Sequence, residues 1–278
     1  MENLILSVSK GFELFGHQIN YYGLISAISY LVGIVMSCFL AKKRGLKIDD
    51  IVTLACYVIP LAIIGARLGY VLFKLENYTN IWDIIKIWEG GLMFYGGLIG
   101  GAIAVALYCI IHKKNFLAII DIIAPSMILA QAIGRWGNFF NQEAYGYQVT
   151  DPNLQWFPFA VYIENIKEWH LATFFYESMW NLFTFAVLFF SINRKNNKIL
   201  KTNGIIAAQY LVLYGIGRLF IEGLRTDSLF LGTLRVSQLI SGLFIILGTA
   251  MIVYFIVKNR KKKDSFDIIM NVLKKDFK

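Results

Sequence analysis

The sequence predicts an all-α integral membrane protein, built as a bundle of seven transmembrane helices. Three observations support this fold class. Hydrophobic residues make up 57% of the 278 residues and charged residues only 16%, whereas soluble proteins carry about a quarter charged residues. Seven apolar segments approach the roughly 20 residues that cross a hydrocarbon core. Finally, the basic residues are concentrated in every second connection between these segments.

The seven predicted spans leave one long connection. The spans lie at about residues 21–40, 51–74, 92–111, 116–134, 173–192, 205–223 and 236–257. The connection 135–172 holds two of the four prolines and several aromatic residues, which is typical of a small packed cap rather than a disordered loop. We therefore predict a single polytopic membrane domain over residues 1–278, with this cap and a basic tail at 258–278.

The basic residues also predict the orientation of the chain. The connections rich in lysine and arginine are 41–50, 112–115, 193–204 and the tail from Lys258. The alternate connections hold few basic residues. By the positive-inside rule the basic segments face the cytoplasm, so that the N-terminus and the cap face outward. The net charge of +9 then reflects topology and contact with anionic lipids, which argues against nucleic acid as a partner.

Charged side chains inside the spans are the first functional candidates, because a charge at mid-membrane costs roughly 2.5 to 3.5 kcal/mol on insertion scales. They are Arg67, Asp121, Arg135, Glu177, Arg218 and Glu222. Arg218 and Glu222 are four residues apart and share one helix face, where they either neutralise each other or face a ligand. Arg135 ends the fourth span, so two guanidiniums can meet at one depth and bind a phosphate in a bidentate manner.

The other charged residues have simpler expectations. Arg67 either pairs with an acid or faces the same cavity. Asp121 is expected to be an interfacial or helix-start carboxylate. Glu177 is a solitary acid in the fifth span, so we expect one of the arginines as its partner. The three cysteines lie in apolar runs and the three histidines are not spaced for zinc or iron, so the sequence predicts no metal site.

The polar segment after the fourth span carries a recognisable motif. Residues 134–146 read Gly-Arg-Trp-Gly-Asn-Phe-Phe-Asn-Gln-Glu-Ala-Tyr-Gly. This motif closely resembles the signature of prolipoprotein diacylglyceryl transferases, which are integral membrane enzymes of bacteria. Further blocks that look like those of the family occur in the family's order at residues 21–24, 66–70, 90–100, 172–178 and 214–222. The resemblance extends from residue 20 to about residue 255.

The resemblance implies a specific reaction. The diacylglyceryl group of phosphatidylglycerol is transferred to the thiol of the lipobox cysteine of a preprolipoprotein, forming a thioether and releasing glycerol phosphate. It also implies a multi-pass protein of the bacterial cytoplasmic membrane with its active site towards the outer face. The implied partners are phosphatidylglycerol, preprolipoproteins and membrane lipids. Neither a metal nor a soluble cofactor is called for, and the sequence does not specify an oligomeric state.

The resemblance also assigns roles to residues. Arg135 and Arg218 look like the essential arginines, which would bind the phosphodiester and stabilise charge on the departing glycerol phosphate. Side chains around them would hold the headgroup and orient Arg135. The expected phosphatidylglycerol-binding residues are Arg135, Asn138, Asn141, Glu143, Gly146, Tyr22 and Glu222.

One position departs from the family pattern. The better-known form of the block after Gly91 has a histidine where this chain has Tyr95, and that histidine is the usual candidate for the base that takes the thiol proton. Free tyrosine has a pKa of about 10 and is a poor base for a thiol of about 8.5. Either the nearby arginines ionise Tyr95, or it only donates a hydrogen bond to the phosphate. We favour the second alternative, with Arg218 favouring the substrate thiolate.

Two other classes of function compete with a transferase. A seven-span protein with intramembrane arginines could be a transporter or channel for anionic solutes. Transporters of this size usually contain repeated halves, and residues 1–140 and 141–278 share no matching blocks. A non-catalytic lipid-binding scaffold is the third interpretation, but it leaves the polar motif at 134–146 unexplained.

Overall fold

The computed structural model describes residues 9–78, 80–87, 90–194, 197–226, 230–232 and 234–276. Most of these residues are helical. The helices are α1 Tyr21–Ala41, α2 Ile48–Phe73, α3 Ile81–Ile85, α4 Phe94–Ile111, α5 Phe116–Asn141, α6 Thr173–Asn193, α7 Ile205–Leu224 and α8 Val236–Asp276. Among the described residues there are three two-stranded antiparallel sheets, one before α1 and two in connections between helices. They pair β1 Gly11–Leu14 with β2 His17–Asn20, β3 Ala160–Ile163 with β4 Glu168–Leu171, and β5 Phe230–Leu231 with β6 Leu234–Arg235.

The helical lengths confirm a multi-pass membrane protein. Within the described ranges, six helices are long and apolar enough to span a bilayer: α1, α2, α5, α6, α7 and α8. The predicted third span is present as α4, whose apolar part Tyr95–Ile111 is shorter than the others. It is preceded by Gly90 and Gly91, whose φ angles of 88° and 76° are incompatible with a right-handed helix. The seven-span count and the orientation of the termini therefore stay predictions.

The chain divides into two compact units. One comprises Met1–Val35 and Asp121–Lys278, and the other comprises Met36–Ile120. We call them the arginine unit, because it contains Arg135 and Arg218, and the glycine unit, because it contains the glycine-rich α4. Each is described by itself below, and the prediction of a single membrane domain stays a prediction.

Small residues join α2 and α4 in the glycine unit. A Cβ added at Gly65 would collide with the carbonyl oxygen of Gly96, and one added at Gly96 would collide with the carbonyl oxygen of Gly65. A Cβ at Gly100 would collide with the carbonyl oxygen of Leu61. The two helix backbones therefore touch directly, as small residues four apart allow in membranes.

Arg67 in the glycine unit has a structural partner that the sequence did not predict. Its guanidinium donates to the backbone carbonyls of Asp83 and Ile84, both at 2.7 Å, and to those of Gly90 and Gly91 at 2.5 and 3.1 Å. These carbonyl groups belong to the last residues of α3 and to the turn before α4, and whether Arg67 also pairs with an acid or faces a cavity stays a prediction. A guanidinium has five N–H donors and can satisfy several of them at once.

In the arginine unit, α5 is longer than predicted. The apolar pattern predicts that the fourth span ends at residue 134 and that the cap begins at residue 135, but the helix continues to Asn141. The polar residues of the motif thus stand on helix turns and not in a loop. The helix ends where Gln142 and Ala144 adopt positive φ angles of 52° and 58°, a conformation that right-handed helices exclude.

The remainder of the predicted cap, residues 142–172, is an ordered segment built around the β3–β4 hairpin. Val149, Ala160 and Ile163 are buried in it. Gln155 donates from its side chain to the carbonyl of Val149 at 2.9 Å. Residues 142–172 are therefore ordered, and their role as an outward-facing cap stays a prediction.

Asp121 lies at the opposite end of the arginine unit from the polar motif, because it belongs to the first turns of α5. Its side chain is completely buried. The two carboxylate oxygens accept hydrogen bonds from the backbone N–H groups of Gly204 and Ala207, at 2.8 and 2.9 Å. These are N–H groups that the start of α7 leaves without helical partners. The predicted helix-start carboxylate is thus found at the start of a different helix from its own.

Candidate active site

Three helix ends of the arginine unit bring the charged residues together. Arg135 lies in the last turns of α5, Glu177 near the start of α6, and Arg218 and Glu222 in the last turns of α7. Aromatic rings pack where α5 meets α6. The ring of Trp136 lies 5.6 Å from that of Phe174, and the rings of Phe139 and Phe174 are 5.2 Å apart. This packing places the start of α6 beside the end of α5.

Glu177 connects the two arginines. Its Oε1 lies 2.7 Å from Nη2 of Arg135, and its Oε2 accepts a hydrogen bond of 3.0 Å from Nη1 of Arg218. The expectation that Glu177 pairs with an arginine is confirmed, and the carboxylate binds both. Nη2 of Arg218 lies 2.7 Å from Oε2 of Glu222, one helix turn away. The intrahelical pair that the spacing suggested is therefore formed, but it is only one part of a four-residue cluster.

This cluster has no net charge, but its arginine side chains are more exposed to solvent than its carboxylates. Two guanidiniums face two carboxylates, so the formal net charge is zero. The side chains of Arg135 and Arg218 are 22% and 15% exposed, whereas those of Glu177 and Glu222 are 4% and 2% exposed. A ligand that reaches the cluster therefore meets the arginine side chains before the carboxylates. Such a surface suits a phosphate or carboxylate.

Polar residues of the motif extend the cluster along α5. Nη1 of Arg135 donates to Oδ1 of Asn138 at 3.4 Å, and Nδ2 of Asn138 donates to Oε1 of Glu143 at 2.8 Å. Nδ2 of Asn141 donates to the same oxygen at 3.4 Å. Glu143 therefore holds both amides, and Asn138 contacts the guanidinium. These contacts join the three predicted residues to Arg135.

Gly146 lies where the polar motif meets two other elements. Its N–H donates to the carbonyl of Leu171 at 2.9 Å, and the next N–H, of Tyr147, donates to the carbonyl of Leu224 at 3.1 Å. A Cβ at Gly146 would lie 2.8 Å from Cβ of Leu171, and 2.9 Å from both Cγ2 of Thr173 and the carbonyl oxygen of Leu224. The position therefore admits no side chain. It fixes the motif against the ends of β4 and α7.

Tyr22 lies against the motif from α1. Its ring packs on Gly137, where a Cβ would lie 2.9 Å from Cδ2 of Tyr22. Gly137 lies between Trp136 and Asn138 on α5, so the structure places Tyr22 beside the motif. The ring is 41% exposed, which leaves part of its surface accessible to a ligand.

Tyr95 belongs to the other unit. It lies in the first turn of α4 in the glycine unit and is 36% exposed. Its predicted role next to the phosphate stays a prediction.

Two further residues contact this site, and neither is predicted from the sequence. His170 on β4 is buried, with Nδ1 2.7 Å from the carbonyl oxygen of Gly146 and Nε2 3.2 Å from Oε2 of Glu168. Nη2 of Arg235 donates to the hydroxyl of Tyr147 at 3.0 Å, and its Nη1 donates to the carbonyl of Glu222. No spacing in the sequence indicates the contacts of His170. For Arg235, the only signal in the sequence is its position next to an apolar span.

An apolar cavity of about 190 Å³ lies between α1, α5 and α6. It is lined by Ile25, Ala132, Ile133, Trp136, Ser178 and Leu182. Two of these residues are the sequence neighbours of charged residues, since Trp136 follows Arg135 and Ser178 follows Glu177. The cluster thus combines an anion-binding surface with an adjoining apolar space. Across the described part of the chain, no group of three His, Cys, Asp or Glu residues is placed to hold a metal ion.

Comparison with known proteins finds one family and several close relatives. Residues 10–254 match the family described as prolipoprotein diacylglyceryl transferase. The chain is 43% identical over 256 residues to phosphatidylglycerol--prolipoprotein diacylglyceryl transferase 1 of Clostridium perfringens, covering 91% of this chain and 96% of the relative. It is 43% identical to the Finegoldia magna transferase and 41% identical to that of Synechocystis sp., over 90% and 89% of this chain and 98% and 90% of those relatives.

Proposed function

This chain belongs to the prolipoprotein diacylglyceryl transferase family, and from that premise we propose that it transfers the sn-1,2-diacylglyceryl group of phosphatidylglycerol to the thiol of a lipobox cysteine. The product is a thioether on a preprolipoprotein, and the leaving group is glycerol phosphate. Relatives whose names state this activity cover nine-tenths or more of their own length in the match. The step is the first in bacterial lipoprotein maturation.

The observation that carries this proposal is the pair of arginines on one carboxylate. Arg135 and Arg218 come from different helices and meet at Glu177, so that two guanidiniums lie at one place. A guanidinium fork matches two oxygens of a phosphate, which an ammonium does not. The adjoining apolar cavity suits one acyl chain of the same lipid. Together these features support a substrate that joins a phosphodiester to a diacylglyceryl group.

The reaction needs few protein groups. The substrate thiol loses its proton, its sulfur attacks a glyceryl carbon, and the bond from that carbon to the phosphate oxygen breaks. The electron pair of this bond leaves with glycerol phosphate. Arg135 and Arg218 bind the phosphate throughout and stabilise the negative charge that grows on it. Asn138, Asn141 and Glu143 keep Arg135 in place, and Tyr22, Gly146 and Glu222 complete the headgroup site.

We also propose the membrane arrangement. The chain crosses the bacterial cytoplasmic membrane seven times, because α4, the third span in chain order, crosses it together with the six longer helices. The N-terminus is outside and the C-terminus is in the cytoplasm. The support is the alternation of basic and non-basic connections along the chain. In this arrangement the ends of α5 and α7 that carry the arginines lie at the outer headgroup level, where the lipid phosphate is found.

Purified protein tests the function directly. The assay supplies phosphatidylglycerol in detergent micelles with a synthetic lipobox peptide, and measures the mass of the peptide and the release of glycerol phosphate. We expect both products in equal amounts, and none with a peptide whose cysteine is replaced by serine. Intact, folded protein that forms no thioether would refute the transferase. Uptake of anions into vesicles without transfer would favour a transporter.

Tyr95 is tested by comparing Tyr95→Phe and Tyr95→His across pH. If the phenol only donates a hydrogen bond to the phosphate, its loss in Tyr95→Phe lowers the rate by about 10- to 100-fold, the effect of one hydrogen bond to a charged group. The shape of the pH–rate profile is then unchanged. Tyr95→His should add a titrating limb near pH 6.5. A Tyr95→Phe enzyme with the rate and the profile of the unaltered enzyme would remove Tyr95 from the mechanism.

A further inference from the structure

We infer that Glu177 is a positioning residue of the transfer reaction, which holds the guanidiniums of Arg135 and Arg218 at the spacing that one phosphate requires. This inference rests on the proposed function. It assigns to Glu177 a role that acts through the two arginines, without contact to the reacting atoms.

The geometry is that of a bridge. Each carboxylate oxygen of Glu177 binds a different arginine, Oε1 at 2.7 Å from Arg135 and Oε2 at 3.0 Å from Arg218. The two oxygens of a carboxylate are fixed relative to each other. Glu177 therefore sets the distance between two guanidiniums that belong to separate helices. A phosphate presents a comparable pair of oxygens, so guanidiniums held around one carboxylate are already spaced to bind one phosphate.

Without this bridge the arginines would not stay together. Two like charges repel, and each arginine side chain loses rotamer entropy when it is ordered. Catalysis by charge stabilisation requires donors that are in place before the charge develops. Glu177 supplies this order in advance, since it is almost completely buried and is held on α6.

The exposure pattern indicates that phosphate adds to the cluster rather than replacing Glu177. Both arginine side chains are several times more exposed than the 4% of Glu177. A ligand can therefore reach the arginines more readily than the bridging carboxylate. Displacing the arginines from Glu177 would leave a buried charge unpaired, which is strongly destabilising. The favourable arrangement keeps the carboxylate beneath the guanidiniums while the phosphate binds on their open side.

Two substitutions separate bridging from simple charge balance. Glu177→Gln keeps the shape but removes the charge. Glu177→Asp keeps the charge, but its shorter side chain reaches only one guanidinium. If spacing matters, both variants lower kcat, by about 10- to 100-fold, the effect of a displacement of about 1 Å at a reacting group. The KM for phosphatidylglycerol, measured as its mole fraction in micelles, should change less than about 3-fold, because the arginines still attract the lipid.

Thr184→Val is the matched control. Thr184 is on the same helix and as deeply buried, seven residues from Glu177 and on the same face. Within the described residues its hydroxyl has no hydrogen-bond partner, so valine keeps its shape at no cost. This variant should keep kcat within about 2-fold of the unaltered enzyme. A loss of kcat in Thr184→Val equal to that in Glu177→Gln would show that general disturbance of α6, not spacing, causes the effect.

The outcomes also separate this inference from the proposed function. Unaltered enzyme that transfers no lipid contradicts the transferase itself. If the unaltered enzyme is active and Glu177→Asp keeps the full kcat, the transferase stands but the positioning role of Glu177 is contradicted. A charge at residue 177 is then sufficient for activity without the bridge between the two arginines. An increase of phosphatidylglycerol affinity in Glu177→Gln would show that Glu177 competes with the phosphate, and would overturn the inference. If Glu177→Gln fails to fold, Glu177→Asp decides the question, since it keeps the buried charge.

Discussion

Replacing Arg218 with alanine is expected to lower the rate of diacylglyceryl transfer by roughly 10³-fold. Removal of one preorganised donor at a developing negative charge costs about 10² to 10³ in kcat, and Arg218 offers a guanidinium with several donors. Among the described residues, the same change leaves the carboxylate of Glu177 with one arginine and that of Glu222 without an ion-pair partner. The measurement is thioether formation on the lipobox peptide at saturating phosphatidylglycerol, with detergent-stable, folded protein confirmed beside it.

Two further variants control for loss of folding. Arg218→Lys keeps the charge but not the fork, and should recover folding with only part of the activity. The double variant Arg218→Gln with Glu222→Gln removes the charge together with its intrahelical partner, so it should fold while transferring no lipid. Arg135→Ala is expected to be inactive as well. Normal transfer by Arg135→Ala and Arg218→Ala would rule out the phosphate clamp.

Gly146→Ala is expected to reduce transfer by about 10- to 100-fold and to lower the free energy of unfolding by roughly 1 to 3 kcal/mol, the usual effect of overpacking. The added methyl would lie within 3 Å of Leu171, Thr173 and the carbonyl of Leu224 at once. A backbone carbonyl cannot rotate away, so the segment that carries Glu143 must move. Activity should fall because Glu143 then no longer holds Asn138 and Asn141 near Arg135.

The glycine-to-alanine change itself is controlled by Gly242→Ala. Gly242 lies in α8, and no atom lies within 4 Å of a Cβ placed there. Alanine favours a helix over glycine by up to about 1 kcal/mol, so this variant should unfold at the same or a higher temperature with unchanged transfer. Thermal unfolding and the peptide assay, run on both variants, test the contrast. Equal behaviour of Gly146→Ala and Gly242→Ala would show that the space at Gly146 is not critical.

Glu177 shows how far sequence reasoning reached at the site. A solitary acid in an apolar segment requires a cationic partner, because an unpaired charge in a membrane is too costly. That local argument correctly predicted an arginine. It did not predict two arginines, because the number of partners depends on how α5, α6 and α7 pack. The same limit applies to Arg67, whose partners are carbonyl groups of a turn that hydropathy does not describe.

Helix ends were less predictable than helix centres. The apolar centre of α5 was correctly predicted, but its polar last turns were assigned to a loop. Hydropathy locates the part of a helix that lies in hydrocarbon, and it carries no information on a helix that continues with polar residues. Asp121 shows a different limit. The sequence predicts an interfacial or helix-start carboxylate, but the helix start that it contacts is that of α7 at Ile205, more than eighty residues further along the chain.

The sequence by itself determined the membrane class, the apolar spans, the family and the identity of the residues at the polar motif. These follow from composition, from the length of apolar runs and from the order of residues in motifs, all of which are local properties. Only the tertiary structure decided which charges meet. In that structure, Arg135 and Arg218 pair with one carboxylate, Gly146 has no room for a side chain, and Asp121 accepts hydrogen bonds from the start of α7. The reason is that buried charges and backbone groups require partners within about 3 Å. Packing in space, and not separation along the chain, determines which groups come that close.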